Sequence, residues 1–404
     1  MKVAIVHDWL TGMRGGERCL LAFLAIYPKA DIYTLVHIPG MTSPLIDARV
    51  KGTSFLQKLP RINRLYRHLL PLYPLAISGF KLDDYDLVIS TSHAAAKNVR
   101  IYNPRTRHIS YCFTPMRYIW DQAPHYFGKL TPFLWPLISW LRRWDLRGAE
   151  RVDAFVAISD FIAARIRCFY GRSAQVIYPP VDTSWISGNR DTQKKGEAFL
   201  YAGALVPYKK PEVVIEAFNR LSEPLWVVGK GPLISKLKEM GKSNITFLGH
   251  VPDKDLAYYY SNCRALVFPG TEDFGMIPVE CMAAGRPVIG LFDGGLKETI
   301  RGVQHWRSTE GRSTEGHSSE VRSDSSGVFI ENSKDSVSAV VEAVNFFVSH
   351  ESEFQADACR TQAAQFGVRQ FFTAWQEVLR SVKPGQTKLK TAQTNSGLRQ
   401  VSCQ

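Results

Sequence analysis

The chain has 404 residues, enough for two domains of ordinary size that each bury a core. Its 45% hydrophobic and 22% charged residues are typical of a globular protein and exclude fibrous and low-complexity classes. The net charge of +13 favours an anionic partner or surface. Phosphorylated sugars or an anionic membrane face fit this charge, whereas nucleic acid is not expected, because no zinc-finger, RNP or arginine-rich stretch accompanies it.

The compartment expected from the sequence is the cytoplasm. The first residues, Met-Lys-Val-Ala-Ile-Val-His, predict a strand and not a signal peptide. No apolar run reaches the roughly 20 residues of a spanning helix. The seven cysteines include no C-x-x-C pair, and several lie in apolar runs, so we interpret them as reduced core residues.

The chain opens with a predicted strand at 2–7, a glycine-rich turn and a helix from about residue 17. This order is typical of a doubly wound α/β domain, whose ligands bind at the carboxyl ends of the strands. The turn is neither G-x-G-x-x-G nor a P-loop. Gly15 and Gly16 are therefore expected to let the backbone approach a phosphate or sugar closely, with a purely structural turn as the alternative.

Further strands are predicted at 32–36, 87–90, 108–112 and 152–159. His93 follows the second of these, so it is a candidate for contact with substrate, although a structural role is as well supported. Asp84-Tyr85-Asp86 has the D-x-D pattern of metal-dependent sugar transferases. It precedes its strand, at the wrong edge of the sheet for a site, and is interpreted as a solvated turn.

Two segments of the first half combine cations with apolar residues. Arg61, Arg64 and Arg67 recur at every third position within 58–68, which predicts a basic stripe beside an apolar one. Residues 130–146 place three tryptophans around two arginines. Aromatic and cationic residues together favour a membrane interface, and core-facing aromatic residues on ordinary helices are the alternative.

The second half repeats the alternation of strand and turn, with strands predicted at 199–202, 225–228, 245–248, 265–268 and 287–290. Lys209 and Lys210 follow the first of these strands. They are candidates to neutralise a diphosphate as compact point charges, and two solvated surface lysines are the alternative.

Residues 271–285 predict a turn and a short helix directly after an apolar strand. Glu272 and Glu280 flank the start of this helix. The N–H groups of Gly275, Met276 and Ile277 form an anion site at its N-terminus. Carboxylates beside bare amides suit a ligand that carries both hydroxyls and phosphates, and solvated glutamates are the alternative. No Asp, Glu or His cluster has metal-ligand spacing, so no metal is expected.

We therefore expect an α/β protein with two doubly wound domains. The predicted layout is a first domain at 1–182, a linker at 183–197, a second domain at 198–364 with a flexible insertion at 304–326, a helix near 365–383 that rejoins the first domain, and a disordered tail at 384–404.

Several of these motifs occur together in one known family. Glu272 and Glu280 form an E-x7-E motif, and Gly-x-Leu-Val-Pro-Tyr-Lys (203–209), Tyr-Pro-Pro-Val-Asp (178–182) and Ala-Ala-Gly-Arg-Pro-Val (283–288) accompany it. With the Gly-Gly-Glu at 15–17 and Thr-Pro-Met-Arg-Tyr at 114–118, this set resembles the mannosyltransferase-like branch of glycosyltransferase family 4. The resemblance covers about residues 1–380. It implies the retaining GT-B architecture, with two Rossmann-like domains facing across a cleft.

The resemblance also implies an activity: transfer of a hexose, for which mannose from GDP-mannose is the expectation, to a glycan or polyprenyl-linked acceptor without a cofactor. Glu272 and His93 are the catalytic candidates by the donor sugar. For the donor, the resemblance implies that Glu280 binds the ribose hydroxyls and that the backbone near Val251 contacts the base. Lys209, with Lys210, would bind the diphosphate, and Gly15 and Gly16 would also face the phosphates. The amides of Gly275, Met276 and Ile277 would bind sugar hydroxyls or phosphates. Apart from the resemblance, the basic stripe, the tryptophan cluster and the net positive charge predict peripheral contact with the cytoplasmic membrane face.

Two positions depart from the family pattern. Ala204 stands where the family usually has an arginine that partners the lysine, and Lys210 is the candidate to replace it, although an ammonium cannot reproduce a bidentate fork. Phe113 stands where a histidine often contacts the sugar, which draws attention to His93. Two alternatives therefore remain: a nucleotide-sugar epimerase or other GT-B enzyme, and a non-catalytic relative that binds a nucleotide sugar.

Overall fold

The computed structural model describes residues 1–186, 196, 198–306 and 320–382. Two compact units divide the chain: Met1–Pro180 together with the chain from Phe371 onward, and Val181–Gln370. The unit boundary lies close to the predicted end of the first domain. Most of the predicted linker, the centre of the predicted insertion and the predicted tail lie outside the described residues.

The first unit contains seven strands: β1 Val3–Leu10, β2 Asp31–His37, β3 Val50–Thr53, β4 Leu87–Ser92, β5 Arg107–Cys112, β6 Ala154–Ala157 and β7 Ala174–Val176. Its helices are α1 Gly15–Ile26, α2 Pro44–Asp47, α3 Ile62–Leu65, α4 Tyr73–Ser78, α5 Ala123–Phe127, α6 Thr131–Glu150 and α7 Asp160–Tyr170.

All strand pairs of this unit are parallel, in the order β3-β2-β1-β4-β5-β6-β7. Every residue of β1 is buried, as expected for a central strand covered on both faces. The chain order reverses between β1 and β4. In open parallel sheets, ligands bind outside the carboxyl ends of strands at such a reversal, so the fold directs attention to the residues that follow β1 and β4.

The second unit repeats this plan with β8 Ala198–Ala202, β9 Leu225–Val228, β10 Ile245–Gly249, β11 Cys263–Phe268, β12 Val288–Leu291, β13 Gly302–Val303 and β14 Gly327–Ile330. Its helices are α8 Pro211–Arg220, α9 Ile234–Met240, α10 Asp253–Asn262, α11 Met276–Ala283, α12 Leu296–Thr299, α13 Ser336–His350 and α14 Ala356–Ala364, and α15 Val368–Ser381 follows them. The sheet is again parallel, in the order β10-β9-β8-β11-β12-β14-β13.

Two doubly wound parallel sheets confirm the predicted fold class, and each predicted strand is present. The strands that the sequence did not predict are β3, β7, β13 and β14. All four have at most four residues and no long apolar run, and β14 also follows the polar segment. The predicted insertion at 304–326 extends too far toward its end, because Ser325 and Ser326 are buried and the Ser326 hydroxyl accepts a hydrogen bond from the Arg301 amide at 2.9 Å.

The C-terminal helix α15 contributes to the first unit's core. Trp375 is fully buried, its ring centroid lies 4.7 Å from that of Phe23 in α1, and its indole N–H donates to the Tyr27 hydroxyl at 3.0 Å. Burial of an aromatic side chain this large is among the strongest single contributions to a core. The chain therefore closes the first unit with its last described helix.

A buried charge network ties α6 to its neighbours in the first unit. Asp145 accepts hydrogen bonds from the ammonium of Lys97 at 2.6 Å and the side-chain amide of Asn98 at 3.0 Å. Its other oxygen accepts from the Trp120 indole and the Tyr170 hydroxyl, each at 2.8 Å. Both ionic groups are inaccessible to water, so each depends on the other for compensation of its charge.

Five cysteines, Cys19, Cys112, Cys263, Cys281 and Cys359, are buried free thiols, as expected. Among the described residues, no helix combines the length and the apolar character needed to cross a membrane.

Candidate functional site

The turn between β11 and α11 lies at the carboxyl edge of the second sheet and carries Glu272. Gly275 ends this turn with φ of 99°, a conformation that a side chain would strain. A Cβ atom there would also lie 2.7 Å from Leu296 Cδ2. Glycine is therefore required where the chain enters α11 at Met276.

The structure brings Lys209 and Glu272 together from two separate segments. Lys209 lies in a 3-10 turn, Pro207–Lys209, that follows β8, and its ammonium forms an ion pair with the Glu272 carboxylate. Both side chains are half-buried, with 17% and 19% exposed. The ammonium also lies 5.5 Å from the ring centroid of Phe268, the last residue of β11. A cation and a carboxylate thus share one place at the sheet edge.

Lys210 occupies a different position from its neighbour. Its φ of 51° places it in the left-handed region, where it forms the N-cap of α8. Within the described part of the chain, Glu272 pairs with Lys209 and not with Lys210. The two lysines are therefore not equivalent, although both follow the same strand.

The loop after β12 holds Glu272 in place, a contact that was not predicted from the sequence. The Gly295 amide donates to the Glu272 carbonyl at 2.8 Å, and the Thr271 hydroxyl donates to Asp293 at 2.9 Å. Gly294 has φ of 61°, and a Cβ atom there would lie 2.3 Å from the Glu272 carbonyl oxygen. The Asp-Gly-Gly at 293–295, three residues beyond a predicted strand, was the available signal.

Helix α11 presents the N–H groups of its first turn to the same edge. Gly275, Met276 and Ile277 stand at its start, where the first amides have no acceptor within the helix. Such groups favour anions, because the helix dipole and the aimed N–H bonds act together. The anion site at this helix start stays a prediction.

Glu280 lies one turn into α11 and is only 4% exposed. Its carboxylate accepts a hydrogen bond from the Tyr260 hydroxyl of α10 at 2.9 Å. Tyr260 is fully buried and was not singled out from the sequence. The tyrosine run at 258–260 gave only a weak signal for this contact.

Val251 follows β10, at the carboxyl edge of the second sheet, and is half-buried. In the sheet order, β9 and β8 lie between β10 and β11, so Val251 stands at the far side of the edge from Glu272. A ligand that contacts both residues must span three strand spacings. That is roughly 14 Å, the scale of a nucleoside diphosphate.

In the first unit, Gly15 and Gly16 are the first two residues of α1, at the carboxyl end of β1. A Cβ atom on Gly16 would lie 3.4 Å from His7 Cε1 and 3.5 Å from the Phe113 ring. Glu17 then accepts a hydrogen bond from the Arg14 amide at 3.0 Å. The helix N-terminus is therefore closely packed against the end of the sheet.

His93 lies beside these residues, in the loop after β4. Its ring centroid is 6.4 Å from that of Phe113 and 6.5 Å from that of His7, and 28% of its side chain is exposed. Burial lowers the pKa of His7 to about 4, so this imidazole is neutral near pH 7. Burial likewise raises the pKa of Glu17. His93 thus occupies the space next to Phe113.

Among the residues that the structure describes, no group of three or more His, Cys, Asp and Glu side chains is arranged to hold a metal ion.

Two protein-family models match this chain, one in each half. The family described as Glycosyltransferase Family 4 matches residues 13–185, and the family described as Glycosyl transferases group 1 matches residues 186–305. Together these matches span most of the sequence. The chain therefore belongs to the group 1, or family 4, glycosyltransferases.

Two curated relatives illustrate the sequence similarity. An uncharacterized glycosyltransferase of Methanocaldococcus jannaschii is 31% identical over 153 residues, which is 37% of this chain and 42% of that protein. The O-antigen chain mannosyltransferase C of Escherichia coli is 34% identical over 98 residues, 22% of this chain and 26% of that protein. The aligned segments thus span less than half the length of either relative.

A solved structure extends the likeness over both units. The Anabaena protein HepE in complex with UDP covers 94% of this chain and 100% of its own, with a TM-score of 0.67 and 16% sequence identity. At this identity the likeness concerns the fold. The two Rossmann-like units are those of the GT-B architecture.

Proposed function

We propose that this protein transfers a hexosyl group from a nucleotide sugar to a hydroxyl of a glycan or lipid-linked saccharide. The observation that carries the proposal is the pairing of Lys209 with Glu272 at the N-terminus of α11. A cation and helix-start amides suit the phosphates of the donor, and a carboxylate suits its hydroxyls. Family membership supports the same reaction class.

In the proposed reaction, the bond from the anomeric carbon to the diphosphate oxygen breaks while the acceptor oxygen bonds to that carbon. Negative charge develops on the leaving diphosphate. Lys209 and the amides of Gly275, Met276 and Ile277 stabilise this charge without reorganising, which is the usual main source of such catalysis. The acceptor hydroxyl gives its proton to the departing phosphate. Attack on the face that the leaving group vacates retains the anomeric configuration, so Glu272 is not assigned as a nucleophile.

For the donor, we propose that Glu280 binds the ribose hydroxyls, that the backbone near Val251 meets the base, and that Lys210, Gly15 and Gly16 contribute to the phosphates. GDP-mannose is the proposed donor. The relative named as an O-antigen mannosyltransferase supports mannose. HepE, solved with UDP-glucose, supports a uridine nucleotide as the competing choice.

A panel of GDP- and UDP-sugars tests this function through protection against thermal unfolding. A ligand that binds only the folded state at 100 times its Kd adds about 2.7 kcal/mol to the free energy of unfolding. The stabilising donor is then incubated with candidate saccharide acceptors, and the nucleoside diphosphate and the product anomer are measured.

The outcomes of that panel separate the alternatives. Release of nucleoside diphosphate only when acceptor is present, with a product of the donor's anomeric configuration, supports retaining transfer. A changed nucleotide sugar with no acceptor would establish the epimerase alternative. Stabilisation by a donor without any turnover would establish the non-catalytic relative. An absence of stabilisation by every nucleotide sugar would contradict all three.

Replacement of Glu280 by alanine is expected to weaken the binding of the matching nucleoside diphosphate. Loss of a charged acceptor for two hydroxyls costs about 1.5–3 kcal/mol, roughly 10- to 150-fold in Kd. Calorimetry measures this directly. Because Glu280 also accepts from Tyr260, Tyr260→Phe is measured alongside to isolate that hydrogen bond. Glu216→Ala, on the exposed face of α8, is the matched control. An affinity equal to that of the control would remove Glu280 from the donor site.

We further propose that the first unit binds an anionic membrane surface, where a lipid-linked acceptor would be met. Arg61, Arg64 and Arg67 are exposed, although their segment forms short turns around α3 and not one amphipathic helix. Large apolar side chains are exposed on α6 and just before it: Tyr126, Leu130, Phe133, Trp135 and Trp140. Phe133 has 82% of its surface in solvent. Trp144 packs on the core and is not part of this surface.

The protein should therefore co-sediment with vesicles of anionic lipid at low salt. Each cation near such a surface contributes about 1 kcal/mol, so an Arg61/Arg64/Arg67→Ser variant should lose most of the salt-sensitive binding. A Phe133/Trp140→Ser variant should lose the part that resists salt, because insertion of apolar side chains is not screened. Lys236/Lys238/Lys254→Ser, three exposed cations of the second unit, should bind like the wild type. A wild type that stays in solution at low salt would contradict the proposal and favour a water-soluble glycan acceptor.

A further inference from the structure

One buried carboxylate beside the first unit's candidate residues has no role in the function proposed so far. Asp8 lies in β1 and is fully buried. An acidic residue within a strand whose eight residues are all buried needs full compensation by hydrogen bonds. The loop that begins with His93 supplies it.

Four consecutive amides of that loop donate to Asp8. The His93 and Ala94 amides donate to Oδ2 at 2.7 and 2.9 Å, and the Ala95 and Ala96 amides donate to Oδ1 at 2.6 and 2.7 Å. These bonds fix the path of the backbone as it leaves β4. They hold the Cα atom of His93 at the carboxyl edge of the sheet.

A fifth contact reaches the His93 side chain. Its Nδ1 lies 3.1 Å from Asp8 Oδ2. A carboxylate accepts only, so the imidazole nitrogen that faces it carries the proton. In the neutral ring, Nε2 is then the basic nitrogen. The edge-on contact with the Trp9 ring, at a centroid distance of 4.5 Å, further restricts the imidazole plane.

We propose that Asp8 is a positioning residue that holds His93 in the Nδ1-protonated tautomer, so that Nε2 accepts a hydrogen bond from a sugar hydroxyl. This inference rests on the proposed function, since the sugar is that of the donor or acceptor. His93 then performs, from the loop after β4, the contact that Phe113 cannot make. The ring centroids of these two residues are 6.4 Å apart.

Two substitutions of His93 separate the two nitrogens. His93→Gln keeps an acceptor near the position of Nε2 and loses the donor to Asp8, whereas His93→Asn keeps a donor near Nδ1 and loses the acceptor. The glutamine variant should retain more kcat/KM than the asparagine variant. The reverse order would overturn the proposal, because it would mean that only the contact with Asp8 matters.

Asp8→Asn tests whether Asp8 acts through His93. In the wild-type background it should lower kcat/KM about tenfold, the effect of one hydrogen bond of average strength. In the His93→Gln background it should have little further effect. Equal losses of kcat/KM in both backgrounds would mean that Asp8 only holds the backbone of the loop, and this result would overturn the proposal.

Nitrogen-15 NMR of histidine-labelled protein gives a readout that needs no turnover and uses the unsubstituted chain, so it decides even where Asp8→Asn does not fold. The His93 signals, assigned by their loss in His93→Gln, should show a protonated Nδ1 and an unprotonated Nε2. The opposite tautomer would overturn the inference. Absence of transferase activity with the expected tautomer would instead refute the proposed function and leave the positioning of His93 standing.

Discussion

Replacement of Lys209 by alanine is expected to lower kcat for sugar transfer by about 10²- to 10³-fold, the usual cost of removing one preorganised group from developing charge. Lys209 is the lysine that pairs with Glu272 and lies against the Phe268 ring, so its ammonium is held at the start of α11 before any donor binds. A preorganised cation stabilises the leaving diphosphate without moving. Steady-state kinetics with the donor identified by the panel measures the effect.

Lys210→Ala is the matched control, since it removes the same charge one residue away. Lys210 forms the N-cap of α8 in the left-handed region and does not pair with Glu272, so its replacement should cost much less. A larger loss for Lys210→Ala would show that Lys210, and not Lys209, holds the diphosphate.

A further variant removes an ambiguity of the Lys209 experiment. Lys209→Ala leaves the Glu272 carboxylate without its cation, and the carboxylate itself could repel the donor. In Lys209→Ala/Glu272→Gln this repulsion is absent. If the double variant regained the wild-type kcat, the loss would come from the uncompensated carboxylate, and the direct role of Lys209 would be refuted.

Asp145→Asn is expected to lower the free energy of unfolding by about 3–5 kcal/mol, because it leaves the buried Lys97 ammonium without a counter-charge. Asparagine also presents a donor to at least one group that itself donates to Asp145. Urea unfolding followed by tryptophan fluorescence measures the change, since Trp120 contacts Asp145 directly.

Glu150→Gln is the control, because this carboxylate is exposed on the same helix and its replacement should stay within about 0.5 kcal/mol. Lys97→Met/Asp145→Asn removes both charges and should recover part of the loss, since replacing both members of a buried pair costs less than removing one. If Asp145→Asn and the control had the same free energy of unfolding, the pair would not contribute to the stability of the first unit.

The local sequence was sufficient to predict the fold class. Central parallel strands are buried on both faces and therefore appear as short continuous apolar runs, which made β1, β4, β8 and β11 recognisable. The turns after them share one edge of each sheet. That geometry placed Lys209 and Glu272 at one edge of the second sheet, and Gly16 and His93 at one edge of the first, before any side-chain contact was known.

Short elements at the sheet edges were not predictable in the same way. Strands β7 and β13 contain three and two residues, and each exists because a neighbouring strand offers it hydrogen bonds. The end of the predicted insertion had the same difficulty, since Ser326 is polar but buried against Arg301. The conformation of such residues is set by the groups they contact and not by their own secondary-structure propensity.

By itself, the sequence determined the two sheets and the chemical types gathered at their edges, because periodicity and turn residues act over neighbouring positions. Only the tertiary structure decided which of two adjacent lysines meets Glu272, that Tyr260 bonds Glu280, and that Asp8 holds His93. Those contacts join segments far apart in the chain. They depend on loop path and side-chain rotamer, which are set when packing brings each buried polar group to its hydrogen-bond partners.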